Sequence, residues 1–224
     1  RIDNQGSMDL GALFVMDELR FLGDHLQVNA GLRMDMARFS KGLYEIYDPS
    51  YSLEYLMNFQ DTLMPENNWI AINPKLSVNL ILGAGFRTYL STARGFRAPV
   101  LDDMCRSGRR KFGFRVANPQ LGPEYLNSFE WGFDRRFSHG WHAGITAFYS
   151  HGRDYMYAVS TGDSVNMGYT ISPVYKVQNI SGVDISGIEA EVSGKILDNL
   201  SFFVNYTRNF SKITDFKPKT SADF

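Results

Sequence analysis

The chain has 224 residues, with 23 lysines and arginines against 24 aspartates and glutamates, 44% hydrophobic and 14% aromatic residues, and one cysteine, Cys105. A net charge of −1 gives no basic footprint for nucleic acid, and one cysteine excludes both an internal disulfide framework and a cysteine-built zinc cage. No apolar run nears the roughly 18 residues of a membrane helix, but a membrane β-barrel stays open, because its strands alternate apolar and polar residues and average to ordinary hydropathy.

The sequence opens at Arg1 with no visible targeting signal, so it reads as a mature piece or a fragment. Period-two alternation then runs almost from end to end. It predicts about eight strands, near 10–21, 25–38, 70–82, 85–98, 124–137, 141–154, 183–197 and 200–213. In the second, Leu26, Val28, Ala30, Leu32 and Met34 share one face, while Gln27, Asn29, Gly31, Arg33 and Asp35 share the other. The sixth repeats this with Trp141, Ala143, Ile145, Ala147 and Tyr149, the seventh with Ile188, Ala190, Val192, Gly194 and Ile196.

The connections alternate between two kinds. Tight turns are expected at Gly23-Asp24, Gly83-Ala84, Ser138-His139-Gly140 and Asp198-Asn199, all rich in residues that turn cheaply. Long connections are expected at about 39–69, 99–123 and 155–182. Strands of this length, with short turns at one end and long loops at the other, fit an antiparallel up-and-down transmembrane β-barrel with periplasmic turns and extracellular loops. A soluble antiparallel sandwich shares the alternation but rarely sorts its loops this way.

Physical chemistry then assigns the faces. A lysine or arginine among lipid tails costs roughly 2–4 kcal/mol at the midplane, so the apolar rows face lipid. The charged rows, with Arg33, Asp35, Arg87, Glu130, Asp134, Glu189, Glu191 and Lys195, face the lumen, where they can pair with each other or with a plug. Phe21, Trp69, Phe86, Phe137 and Trp141 fit interfacial girdles, or are ordinary sheet aromatics.

Two boxes, Gly95-Phe96-Arg97-Ala98-Pro99 and Asn118-Pro119-Gln120-Leu121-Gly122-Pro123-Glu124, make the chain resemble the β-barrel of TonB-dependent outer-membrane receptors. The strands Phe129–Phe133, Ser186–Glu191 and Leu200–Thr207, with Phe14–Glu18 and Gly31–Asp35 upstream, follow in an order that resembles the same family. The resemblance covers nearly all of residues 1–224 and implies a part of a barrel of roughly 22 strands around an N-terminal plug. It implies neither plug nor TonB box within this piece, and partners in the TonB complex, the plug, outer-membrane lipid and lipopolysaccharide. A complete eight-stranded barrel is the alternative, which Lys217-Pro218-Lys219 argues against by breaking any closing strand.

The loop between the boxes carries Arg106, Arg109, Arg110, Lys111 and Arg115 interleaved with Phe112 and Phe114, a set suited to an anionic ligand such as a ferric siderophore. A solvated loop or one touching lipopolysaccharide is the plainer reading. Tyr155 and Tyr157 join it as candidate ligand contacts, and Tyr44, Tyr47, Tyr51, Tyr55, Phe59, Tyr169 and Tyr175 make the other long loops aromatic. Haem receptors of the family place a histidine between such boxes, and residues 100–117 contain none. His25, His139, His142 and His151 read as structural or exposed, and neither a metal site nor a cofactor is expected. No GxSxG, HExxH or phosphate loop occurs, so catalysis is not expected. Uptake of a ferric siderophore leads, with cobalamin, haem or a glycan as other cargoes and a passive pore or structural barrel as the reading of another class.

Overall fold

A computed structural model of the chain describes residues 2–46, 63–168, 170–197 and 199–218. Eight long strands form the wall: β1 (Ile2–Phe21), β2 (Leu26–Ile46), β3 (Asn67–Gly83), β4 (Phe86–Arg97), β7 (Glu124–Arg136), β8 (His142–Asn166), β9 (Ile171–Leu197) and β10 (Leu200–Thr214). Between β4 and β7 lie a short helix α1 (Leu101–Cys105) and two short strands, β5 (Gly108–Arg110) and β6 (Gly113–Val116). The wall runs β1-β2-β3-β4-β7-β8-β9-β10, each neighbour antiparallel, as an open arc rather than a closed barrel.

The tight turns occur where expected. Leu22, Gly23 and Asp24 all take positive φ, as do Gly83, Ala84 and Gly85, the left-handed twist that a short hairpin requires. The fourth turn falls partly on Asp198, outside the described residues. Pro74 sits inside β3, and the β3–β4 ladder begins one residue later, at Lys75. That placement spares the ladder the N–H that proline lacks.

Register confirms two opposed faces. One row runs Val28, Val78, Leu90, Trp131, Ala147 and Ile188 across six strands. Another runs Arg87, Asp134, Gly144, Glu191 and Asn205 across five, with Glu189 and Thr207 in the row beside it. The first kind faces outward and the second the lumen. On β1 the sorting is looser: Phe14 and Met16 lie opposite Arg33 and Gly31 on the lumen side, while Asp17 lies opposite Ala30 on the outer side, and nothing in the structure explains Asp17.

The outer apolar belt climbs diagonally across the register. Its upper limit drops from Met36 on β2 to Tyr206 on β10, and its lower limit from Leu26 to Leu200. That is a fall of about six to ten residues, ~20–33 Å, over strand steps totalling ~29 Å, which tilts the strands by roughly 35–50°. A tilt of that size is what closes a barrel, so the geometry of the whole is already written into this arc.

Two predicted loops turn out otherwise. Residues 155–182 are not a long connection: β8 and β9 continue as a ladder up to Asn166 and Ile171, beyond which Met167 N donates to the Thr170 carbonyl at 2.9 Å. Register shifts between Gly152 and Tyr155 and between Ser160 and Ser164 interrupt the alternation, which hides the ladder from a period-two reading. β2 likewise runs on to Ile46. Tyr47, Tyr51, Tyr55, Phe59 and Tyr169 lie outside the described residues, as does the side chain of Tyr44.

The core sits above the belt, in the mouth. Phe39, Met64, Met104, Cys105, Phe114, Val116, Ala117, Leu121, Val165, Val174 and Val177 form one buried cluster, with Trp69 and Met156 packed on it. Phe39 lies on the same row as Arg33 and Asp35, so the segment covering it is on the lumen side. Trp69, opposite Ala37, faces the lumen too, which corrects its expected place in an outer girdle.

Candidate functional site

The segment from Pro99 to Pro123 spans the mouth as a chord. At one end, Asn4 on β1 exchanges two hydrogen bonds with the backbone of Ser107, its Nδ2 donating to O at 3.3 Å and its Oδ1 accepting from N at 2.8 Å. At the other, β6 pairs in parallel with β9 through Phe114 and Val174, Arg115 and Tyr175, Val116 and Lys176. Burial of Met104, Cys105, Phe114, Val116 and Leu121 beneath it supplies the driving force.

Both sequence boxes serve as fasteners of this chord. Arg97 donates to Glu124 at 2.6 Å, closing the base of the loop, and Glu124 also accepts the Met156 N–H at 2.7 Å. Asn118 Nδ2 donates to the Val177 carbonyl at 2.7 Å while its Oδ1 accepts from Gln120 N at 3.2 Å. The Pro119 carbonyl accepts from Asn67 on β3 at 2.7 Å. Asn179 on β9 accepts from Gly122 N at 2.8 Å and donates back to its carbonyl at 2.9 Å. Gly95, Phe96, Ala98, Pro99, Leu121 and Pro123 shape the chain on either side, Pro99 and Leu121 being buried.

The basic residues converge above this frame. Arg106, Arg109, Arg110, Lys111 and Arg115 line one open cavity of about 630 Å³ with Phe112, Phe114, Ala158 and Tyr175. Two carboxylates hold three of the five in place. Asp102 accepts from Arg106 at 2.9 Å, Arg110 at 3.3 Å and Arg115 at 2.8 Å, and Arg115, nearly buried, also pairs with Asp103. Bonds from Arg106, then the charge and bonding of Arg115, hold the Asp102 carboxyl below the usual carboxylate range. Burial pushes the Cys105 thiol up, which keeps it an apolar core group. Among the described residues, five cations stand against Asp102 and Asp103 around this cavity, with the Phe112 ring 5.2 Å from the Lys111 ammonium and largely exposed.

Tyr155 and Tyr157 lie apart from this cavity. Tyr155 lines a smaller one, about 360 Å³, with Gly95, Phe96, Arg97 and Glu124, and burial beside the Glu124 charge raises its hydroxyl pKa. Tyr157 packs edge-on against Phe216 at 6.5 Å. Tyr175 is instead the tyrosine that meets the basic cluster. Reading by residue type missed Asp102, Asp103, Asn67 and Asn179, whose roles depend on pairings across 4 to 57 positions. The adjacent Asp102-Asp103 pair following Pro99 and Val100 is a helix-start signal that could have flagged the first two.

In the lumen, Arg87 bridges Asp134 at 2.8 Å, and His142 stands 3.6 Å from Asp134 and 3.2 Å from Glu191, so this histidine belongs to the charged wall. These groups and Glu189 line a cavity of about 280 Å³. Arg33 pairs with Asp35 at 2.8 Å, and Glu130 shares another cavity with Arg87 and Lys75. Among the described residues no cluster of three His, Cys, Asp or Glu side chains is placed to hold a metal ion.

The model of the TonB dependent receptor-like β-barrel family matches residues 1–223. No curated protein matches the sequence. Among solved structures, the chain is similar to the FrpB iron transporter of Neisseria meningitidis (F3-3 variant), with a TM-score of 0.64 at 14% identity over 99% of this chain and 29% of that one. It is also similar to the copper transporter OprC, with a TM-score of 0.70 at 14% identity over 94% and 30%. A third is the siderophore receptor PirA of Pseudomonas aeruginosa, with a TM-score of 0.61 at 16% identity over 94% and 44%. The chain thus spans about a third of the structures it matches. An arc of tilted strands, a lumen lined by charge and a loop folded across the mouth agree with that match, and the chain belongs to the TonB-dependent receptor-like β-barrel family.

Proposed function

We propose that the protein containing this arc is an outer-membrane transporter that takes up a scarce anionic ligand, a ferric siderophore foremost, with energy delivered by the TonB complex to a plug held in the lumen. The observation that carries this reading is the positive, aromatic cavity formed by Arg106, Arg109, Arg110, Lys111, Arg115, Phe112 and Tyr175 above the lumen. Guanidinium groups meet anionic oxygens through paired, charge-assisted bonds, and exposed rings give a planar chelate a face to lie on. Asp102 gathers Arg106, Arg110 and Arg115 at one edge of the cavity until a ligand competes for them. The iron and siderophore names among the similar structures support this class of cargo, and the copper name marks the rival.

The lumen charges, Arg33, Arg87, Glu130, Asp134, Glu189 and Glu191, serve in this reading as the surface against which the plug rests. Lipid and lipopolysaccharide surround the wall in the outer membrane of a Gram-negative cell. No residue has a catalytic part.

The test is binding and uptake by the full-length receptor in outer-membrane vesicles, offered ferric siderophores, cobalamin, haem and copper, with and without an energised TonB system. Saturable, energy-dependent entry of a ferric siderophore is expected. Reversing one charge, Arg110→Glu, is expected to weaken its binding about tenfold, a typical value for one charged contact. Passive, unsaturable flux would replace this reading with that of a pore.

A further inference from the structure

Outside the barrel, at the upper edge of the apolar belt, two guanidiniums share one ring. Arg94 lies 4.6 Å and Arg153 5.3 Å from the centroid of Tyr125, and Phe96 packs on the same ring at 5.8 Å. Register places all four on the outer row: Phe96 and Arg153 oppose Tyr125 from its two sides, and Arg94 opposes Asn127. Among the described residues neither guanidinium has a carboxylate within 4.0 Å, and Arg94 Nε is enclosed without a hydrogen-bond partner. Asp184, the nearby carboxylate on the outer row, is engaged by His151 at 2.7 Å and Tyr149 at 3.0 Å. Two cations facing lipid without counterions call for an anion from outside the chain.

The wall just beneath has the matching apolar part. A shallow groove of about 550 Å³ runs between Leu76, Val78, Leu90, Phe129, Trp131 and Tyr149. Trp131 is fixed beside it, its indole N–H donating to Thr88 Oγ1 at 3.1 Å. Depth agrees as well. At the opposite end of β7, Arg135 stacks between Phe86 at 4.3 Å and Phe137 at 4.5 Å. Tyr125 and Arg135 are about ten residues apart, ~33 Å along the strand, or ~21–27 Å along the membrane normal at the tilt found above, close to the ~25 Å apolar band of such barrels. Arg94 and Arg153 therefore stand at the level of the outer headgroups.

We propose that this outer face binds a phosphorylated lipid of the outer leaflet, its phosphate held by Arg94 and Arg153 and an acyl chain laid in the groove below. Guanidinium suits this task because its donors fork onto two phosphate oxygens while its flat face stays on the tyrosine. The site depends on the membrane-barrel fold alone and stands whatever the cargo of the lumen.

The experiment is native mass spectrometry of the full-length receptor in neutral detergent, titrated with diphosphorylated lipid A, with lipid A stripped of phosphate, and with inorganic phosphate. The phosphorylated lipid should stay bound, and the double variant R94Q/R153Q should lose its retention at least tenfold, while the stripped lipid binds weakly to both proteins. Each single variant should lose part of the effect, which keeps the test alive if the double variant does not fold, and gel mobility before and after heating reports folding. Equal retention of the stripped lipid, undiminished binding by folded variants, or displacement by millimolar inorganic phosphate would overturn the proposal.

Discussion

The wall and the mouth are built on opposite principles. In the wall, neighbours in sequence are neighbours in space: every hairpin pairs adjacent strands, and outside β1 and the bulged part of β8 and β9 the face a residue takes follows from whether its number is odd or even. In the mouth, residues from β2, α1, β6, β8 and β9 meet in one buried cluster, and several of the hydrogen bonds that fasten it join positions 52 to 103 apart. The wall spends its apolar groups on lipid, whereas the mouth must build a core of its own to hold a loop over water. A change in one region should therefore leave the other standing.

The sharpest break is Phe114→Ala. Phe114 is fully buried in the mouth, and losing an aromatic core side chain costs about 3–5 kcal/mol. Hydrogen exchange in residues 99–123 should rise steeply in the full-length receptor while exchange in the wall stays unchanged; a matching rise in the wall would erase the distinction. Next is Leu90→Arg, which sets a charge in the middle of the outer row and should cost roughly 2–4 kcal/mol in a refolding titration in lipid, with loop exchange unaltered below the transition. Asn118→Ala should cost about 1–3 kcal/mol, because the Gln120 N–H and the Val177 carbonyl lose their partner, and limited proteolysis of the loop should detect it.

Acidity gives the smallest effect. The Asp102 pKa is lower folded than unfolded, so its contribution is complete above the ordinary carboxylate range and is lost as pH falls through the folded value. Loop proteolysis should increase on acidification below about pH 4, and Asp102→Asn should remove that part of the pH dependence. Equal acid sensitivity in the variant would assign the effect elsewhere.

The same contrast explains what the sequence made legible. Alternation was enough to locate all eight wall strands and to put Arg87, Asp134, Glu189 and Glu191 on one face, opposite the apolar row, because period two is a local property. It fails at the bulges near Gly152 and Ser160, where extra residues on one strand interrupt the alternation and hide the ladder above. It failed again at Trp69, whose lumen side is set by register with Ala37 rather than by being aromatic near a strand end. The basic run 106–115 was visible as composition. Its partners Asp102 and Asp103 were not, since acidic neighbours reduce the apparent charge of a segment without saying which side chains they restrain. Likewise, the pairing of Arg94 and Arg153 on Tyr125 joins three strands and leaves no local pattern.

The parallel seam between β6 and β9 sets an order of events. Phe114 can find Val174 only after β7, β8 and the start of β9 have been made and hairpinned, and Ser107 must meanwhile reach Asn4 at the other rim. Closing such large loops before their anchors exist pays entropy with no contacts in return. The chord is thus a late-closing keystone: while the wall inserts, the mouth stands open, and it narrows only once both rims have arrived.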